Sequence, residues 1–298
     1  MNATQTVRPL AHIISAHRQR EGGGFIVRRP FPTAELSYLD PFLLIDEMGP
    51  ADYAPGEAIG APDHPHRGFE TVTYMLEGEF EHEDSAGHRG TLRPGDVQWM
   101  TAGAGIIHSE MPAAHIRRDG GRVHGFQIWI NLPAADKMQP PRYQERAATD
   151  IPVAASADGL ARVRVIAGAA LGVQAVINTH IPITFQDWTL QSGADVTIDL
   201  PASEQAMVYV FGGALQVGDD DTVIGDGQLA RLGDGNQVRL RHTGDAPARA
   251  LLLAGKPLNE TVARYGPFVM NSQAELQQAF ADYQSGAMGR ITRQATMV

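Results

Sequence analysis

Short apolar runs of strand length alternate with turn residues along the first half of the chain. Gly24-Phe25-Ile26-Val27-Arg28-Arg29 follows a glycine-rich turn and reads as one strand. Phe42-Leu43-Leu44-Ile45-Asp46-Glu47 reads as another, too apolar to be exposed on both faces. Thr71 to Leu76 is rich in β-formers and ends at Glu77-Gly78, a turn signal. Arg93-Pro94-Gly95-Asp96 is a strong turn that leads into Val97-Gln98-Trp99-Met100. Val123 to Asn131 is an apolar, aromatic strand that stops at Leu132-Pro133.

The second half repeats this pattern. Pro133 to Pro152 holds four prolines and many charges, and reads as an interdomain connection. Beyond it, Tyr209-Val210-Phe211-Gly212-Gly213 echoes Tyr74-Met75-Leu76-Glu77-Gly78 at an offset of 135, and Arg231-Leu232-Gly233-Asp234 echoes Arg93-Pro94-Gly95-Asp96 at 138. Two landmarks in order at nearly equal offsets point to a duplicated β-domain. Near the end, Ser272-Gln273-Ala274-Glu275 forms a capping box. Leu276, Ala279, Phe280 and Tyr283 follow at helical spacing until Gly286 stops the helix. The expected division is residues 1–135, a linker 136–152, a second barrel 153–270, and a helix with tail 271–298.

Composition narrows the classes. With 298 residues, 43% of them hydrophobic and 19% charged, the chain has ample material for a buried core. A net charge of −10 repels a phosphate backbone, so direct nucleic-acid binding is not expected; Arg117-Arg118 with Arg122 reads as a solvated loop. The sequence contains no cysteine, which excludes disulfides, thiolate metal sites and cysteine nucleophiles. No apolar run approaches the ~18 residues of a membrane span, and no secretory signal is visible, so the cytoplasm is the default expectation. Gly103-Ala104-Gly105 lacks the third glycine of a nucleotide-binding fingerprint.

Two stretches carry the chemistry. His64-Pro65-His66 and His108-Ser109-Glu110 each place two metal-competent side chains at i and i+2. In a strand such residues share a face, and on neighbouring strands ~4.8 Å apart four of them can converge on one ion. One His-x-His pair is weak, because 11 histidines in 298 residues give roughly 0.4 such pairs by chance. The second pair, with its carboxylate, makes His64, His66, His108 and Glu110 the candidate ligands of a mononuclear site. At the first repeat offset His64 and His66 fall on Asp199 and Pro201, so the second copy is expected to lack the ligands. Antiparallel β-structure enclosing a metal suggests a barrel of the cupin type. His82 and His88 flank an expected hairpin and read as solvated, while His12, His17, His115, His180 and His242 have no partner at useful spacing.

The run from His64 to Val72, with Leu76-Glu77-Gly78, resembles the first motif of the pirin family. Pro94 to Gly103 leading into His108-Ser109-Glu110-Met111-Pro112 resembles it too, as do Leu39-Asp40-Pro41-Phe42 and Tyr265 to Asn271. The resemblance spans roughly residues 20 to 285. It implies an all-β bicupin, two tandem antiparallel barrels with a short C-terminal helix, with metal in the N-terminal barrel only. It carries ligand roles to His64, His66, His108 and Glu110, with iron(II) as the usual metal; zinc, manganese, nickel or copper would fit the same donors. Glu70, at a ligand position of the general cupin motif, is expected to support a ligand imidazole or a bound water.

Two activities follow from that resemblance. One is quercetin 2,3-dioxygenase-like chemistry (a flavonol 2,4-dioxygenase) on a flavonol and dioxygen, with Glu110 as catalytic base. Phe42, Met48, Phe69, Trp99, Met100, Phe126 and His124 are then the candidates for an aromatic-binding pocket. The other is a non-enzymatic, redox-sensitive coregulator that docks a transcription factor or a metabolic enzyme through its metal state. Acidity favours protein contact over DNA contact in that case.

Overall fold

The computed structural model describes residues 4–293. The chain divides into two units, each assembled from non-contiguous segments. One comprises the chain up to His17, Pro30–Pro41 and Thr149–Pro257; the other comprises Arg18–Arg29, Phe42–Ala148 and everything from Leu258. The boundaries therefore differ from the continuous spans 1–135, 136–152, 153–270 and 271–298. Strand pairing is the reason. The early strand Leu10–Ser15 pairs with Gln228–Leu232 and so joins the unit that holds Thr149–Pro257. The expected linker contains Arg142–Arg146, which pairs with Val97–Thr101 and stays with the unit that holds Phe42–Ala148.

The unit with both histidine motifs is an antiparallel barrel of two sheets. A seven-stranded sheet runs Arg142–Arg146, Val97–Thr101, Phe69–Glu77, Gly121–Asn131, Phe42–Tyr53, Phe25–Phe31 and His17–Glu21. A four-stranded sheet runs Ala61–His66, Ile106–Pro112, Phe80–Asp84 and Arg89–Leu92. The other unit repeats the plan, with seven strands from Leu10–Ser15 to Val153–Ala155 and four in the order Asp195–Asp199, Gln237–Arg241, Ala214–Val217, Val223–Gly225. Tyr74 and Tyr209 occupy corresponding strands, as the first offset predicts. The second landmark does not correspond. Arg93–Asp96 precedes the strand Val97–Thr101, whereas Arg231 and Leu232 end its counterpart, Gln228–Leu232.

The terminal helix Gln273–Ser285 begins where the capping box requires: Ser272 Oγ accepts from the Glu275 N–H, and the Glu275 carboxylate accepts from the Asn271 N–H at 2.9 Å. Gly286 closes it in the left-handed region at φ 80°. Leu276 and Ala279 pack against Phe268, Met270 and Met288, so the helix belongs to the histidine-bearing unit. Arg67, next to His66, holds Asp282 of this helix at 2.8 Å. No helix among the described residues is long and apolar enough to cross a membrane.

Candidate metal centre

His64 and His66 lie on Ala61–His66, the edge strand of the four-stranded sheet. That position tolerates Pro62 and Pro65, which cannot donate to a ladder on the free side. The neighbouring strand runs antiparallel and sets His108 opposite His64 and Ile106 opposite His66. All three imidazoles point inward, with ring centroids 4.4 to 4.9 Å apart. Their donor nitrogens lie within 4.8 Å of one another. Metal bonds of ~2.1 Å separate donors by about 3–4.2 Å, so a small contraction makes a ligand set. Gly68 makes the turn out of this strand at φ 87°, where a side chain would collide with the Val269 carbonyl.

The nitrogens are prepared for an ion. His64 Nδ1 donates to the Pro62 carbonyl at 2.7 Å, and His66 Nδ1 faces the Pro267 carbonyl at 3.4 Å, which leaves each Nε2 lone pair free. Both ring nitrogens of His108 are buried without a hydrogen-bond partner. Burial pushes His66 and His108 well below the ordinary imidazole pKa, and the neighbouring imidazoles add to it, so both stay neutral. A buried polar atom left unpaired costs about 1–3 kcal/mol, which a coordinated ion would relieve.

Glu110 stands slightly apart. A bulge between His108 and Glu110 sets Glu110 opposite Ala61, and its Oε2 lies 3.9 Å from His108 Nε2. Oε1 accepts from Thr73 Oγ1 at 2.7 Å, and Oε2 accepts from Gln127 Nε2 at 3.0 Å. The carboxylate is thus held within reach of the triad by two neutral donors.

Strand parity decides which residues line the adjoining cavity of about 400 Å³. Thr73 pairs with Gln127 and Gln127 with Asp46; Thr71 pairs with Trp129 and Trp129 with Leu44. These residues share the inner face, and Leu44, Asp46, Gln127 and Trp129 line the cavity together with Met48, Phe25 and Arg264. Met48 is thus the one residue of the expected aromatic wall that lines it. Trp99 and Phe126 fall on the reverse face of the same sheet, and a shift between Trp129 and Ile130 sends Phe42 there as well. His124, also on that face, bonds Glu47 at 2.8 Å. Met100 has inner parity and packs with Ala102, Ile106 and Tyr143. Phe69 shares the inner parity of Thr71 and Thr73 and packs beside the wall, with ring centroids 4.3 Å from Trp129 and 5.1 Å from His66. Glu70 alternates with Thr73 and therefore faces away from Glu110; it accepts from Thr101 Oγ1 at 2.7 Å.

Sequence reasoning overlooked several polar groups. His82 is buried beneath the site and bonds Glu145 at 2.6 Å, and His88 bonds Asp84 at 2.8 Å, so His82 is no solvated hairpin residue. Lys137, inside the expected linker, is buried with Nζ donating to the Gly68 carbonyl, Asn131 Oδ1 and the Val269 carbonyl at 2.6, 2.6 and 3.1 Å. Burial lowers its pKa to about 8. Arg117 and Arg118 sit on a short helix, Ala114–Asp119, where Arg118 pairs with Asp119 and Arg117 with Glu81.

The Pirin family profile matches residues 24–130, and that of the Pirin C-terminal cupin domain matches 185–289. The chain belongs to the pirin family. Among its pirin relatives, a pirin-like protein of Solanum lycopersicum is 45% identical over 93% of this chain and 91% of its own length. Pirin of Homo sapiens is 41% identical over 93% of this chain and 92% of its own length. The crystal structure of a quercetin 2,3-dioxygenase from Acinetobacter baumannii shares the fold with a TM-score of 0.89 at 37% identity, covering 96% of this pirin chain and 100% of that one. Both barrels of this pirin are therefore of the cupin type, and the histidine triad that could hold a metal lies in the one matched by the N-terminal profile.

Proposed function

We propose that this pirin is an iron-dependent dioxygenase that cleaves flavonols of the quercetin type, with the metal held by His64, His66, His108 and Glu110. The observation that carries the reading is the buried His108 ring, unpartnered at both nitrogens and placed with the His64 and His66 imidazoles beside an aromatic-walled cavity. The likeness to the Acinetobacter baumannii quercetin 2,3-dioxygenase supports it. A bound divalent iron supplies Lewis acidity toward the flavonol hydroxyl and the redox chemistry that dioxygen requires.

The protein groups have distinct tasks. Trp129, Leu44 and Met48 offer a flat apolar wall for the flavonol rings and exclude water from them. Glu110 accepts the hydroxyl proton as the substrate becomes an anion. Thr73 and Gln127 fix the orientation of that carboxylate, one on each oxygen. Both atoms of dioxygen enter the ring-opened ester, and one ring carbon leaves as carbon monoxide. Anaerobic iron loading followed by exposure to quercetin and air tests the reading. Flavonol loss with carbon monoxide release above a free-iron control is expected. Loss no faster than the control overturns it and leaves a metal-binding protein that acts through a partner.

A further inference from the structure

The cavity has a polar end that flavonol cleavage leaves unused. Arg264 lines it, with the guanidinium carbon 4.8 Å from the Trp129 ring centroid. Trp129 in turn meets His66 edge-on at 5.1 Å between ring centroids. His66, the indole and the guanidinium thus follow one another along the cavity, which His64 also lines.

The charges facing Arg264 are committed elsewhere. Glu21 and Asp46 both reach Arg29, at 2.8 and 2.5 Å, and Asp63 is paired with Arg293. Arg264 gives one N–H to the Leu43 carbonyl at 3.0 Å, and no carboxylate lies within ion-pair distance of it among the described residues. Burial and then the neighbouring Arg29 depress its pKa, so the cation stands where an opposite charge would be welcome.

We propose that this site selects aromatic substrates bearing an anionic group, which the Arg264 guanidinium receives from its place over Trp129. A small inorganic anion would leave the indole, Leu44 and Met48 uncovered, so a planar aromatic acid or phenolate is the matching class. The inference rests on the oxygenase reading and narrows its substrate.

The test needs no turnover. The full-length chain, stripped of metal by chelation, is titrated by calorimetry at pH 7.5 with 2-naphthoate and with its neutral counterpart, naphthalene-2-carboxamide. The acid is expected to bind about tenfold more tightly, since charge-assisted hydrogen bonds exceed neutral ones. Arg264→Gln should abolish that preference while keeping amide affinity, and Arg264→Lys should keep part of it. Equal affinity of the wild type for the two probes, or no binding of either, overturns the proposal; this comparison holds even should Arg264→Gln fail to fold. A preference that survives Arg264→Gln overturns it as well, because Arg29 would then be the receiving group. Failure of flavonol cleavage leaves these titrations unaffected, so the two readings fail separately.

Discussion

The two barrels share one strand plan and differ in what it points inward. In the four-stranded sheet of one unit, the inward positions carry His64, His66, His108 and Glu110. In the other, the matching strands Asp195–Asp199 and Gln237–Arg241 turn Val196, Ile198, Val238 and Leu240 into one continuous hydrophobic core. The exchange continues across the seven-stranded sheet. Thr73 and Gln127, cross-strand neighbours that hold Glu110, are matched by Val208 and Leu252, cross-strand neighbours in that core. Each buried aliphatic side chain contributes about 1.5–3 kcal/mol, whereas unpaired buried donors cost energy. One barrel is built for packing; the other gives up packing for a site.

A second feature is common to both. In each unit a buried cation grips the backbone where the four-stranded sheet hands over to the seven-stranded one. Lys137 donates to the Gly68 carbonyl, and Arg8 donates to the Pro201 carbonyl at 2.9 Å. The clamp belongs to the duplicated architecture, and the metal-competent donors belong to one copy.

The comparison breaks first on metal content. The double variant His66→Ala/His108→Ala should drop bound iron from about one equivalent to below about a tenth, by elemental analysis after loading. A retained full equivalent would move the site elsewhere. Next comes the aliphatic barrel. Leu240→Glu places in it the carboxylate that the other barrel tolerates, without its donors, and should cost about 3–5 kcal/mol in urea unfolding. Leu240→Met should cost less than about 1.5 kcal/mol. Similar losses for the two would mean that this position is not sealed.

The clamps differ in their response to pH. Lys137 titrates at about 8 in the fold against 10.5 when free, so between those values the unfolded chain binds the proton and the folded chain has released it. Stability should therefore rise with pH above 8, by about 2 kcal/mol up to pH 9.5. Lys137→Met should flatten that rise, and an unchanged slope would sink the assignment. The last expected effect is the most specific. Thr73→Val and Gln127→Leu recreate the Val208 and Leu252 pair beside Glu110, and each should lower flavonol turnover or iron affinity by about 10–100-fold with the fold intact. Undiminished turnover and affinity would show that Glu110 needs neither donor.

The strands, the duplication and the terminal helix were legible in the sequence because they depend on local signals: runs of β-formers, turn residues, a capping box and a stopping glycine. The two i, i+2 pairs were legible for the same reason, since strand parity puts each pair on one face without knowledge of the partner strand. Tertiary pairing decided the rest. Val123 to Asn131 is apolar on both faces, so its alternation does not say whether Phe126 or Trp129 looks inward; only its register against Phe69–Glu77 and Phe42–Tyr53 does. The same register turned Glu70 away and brought Gln127 to Glu110. Arg264 and Lys137 reach the site region from distant segments, and the early strand Leu10–Ser15 joins the other barrel, because ladder hydrogen bonds do not depend on sequence distance. By itself the sequence determined which side chains could bind a metal. The cross-strand register, a product of long-range pairing, decided what surrounds them.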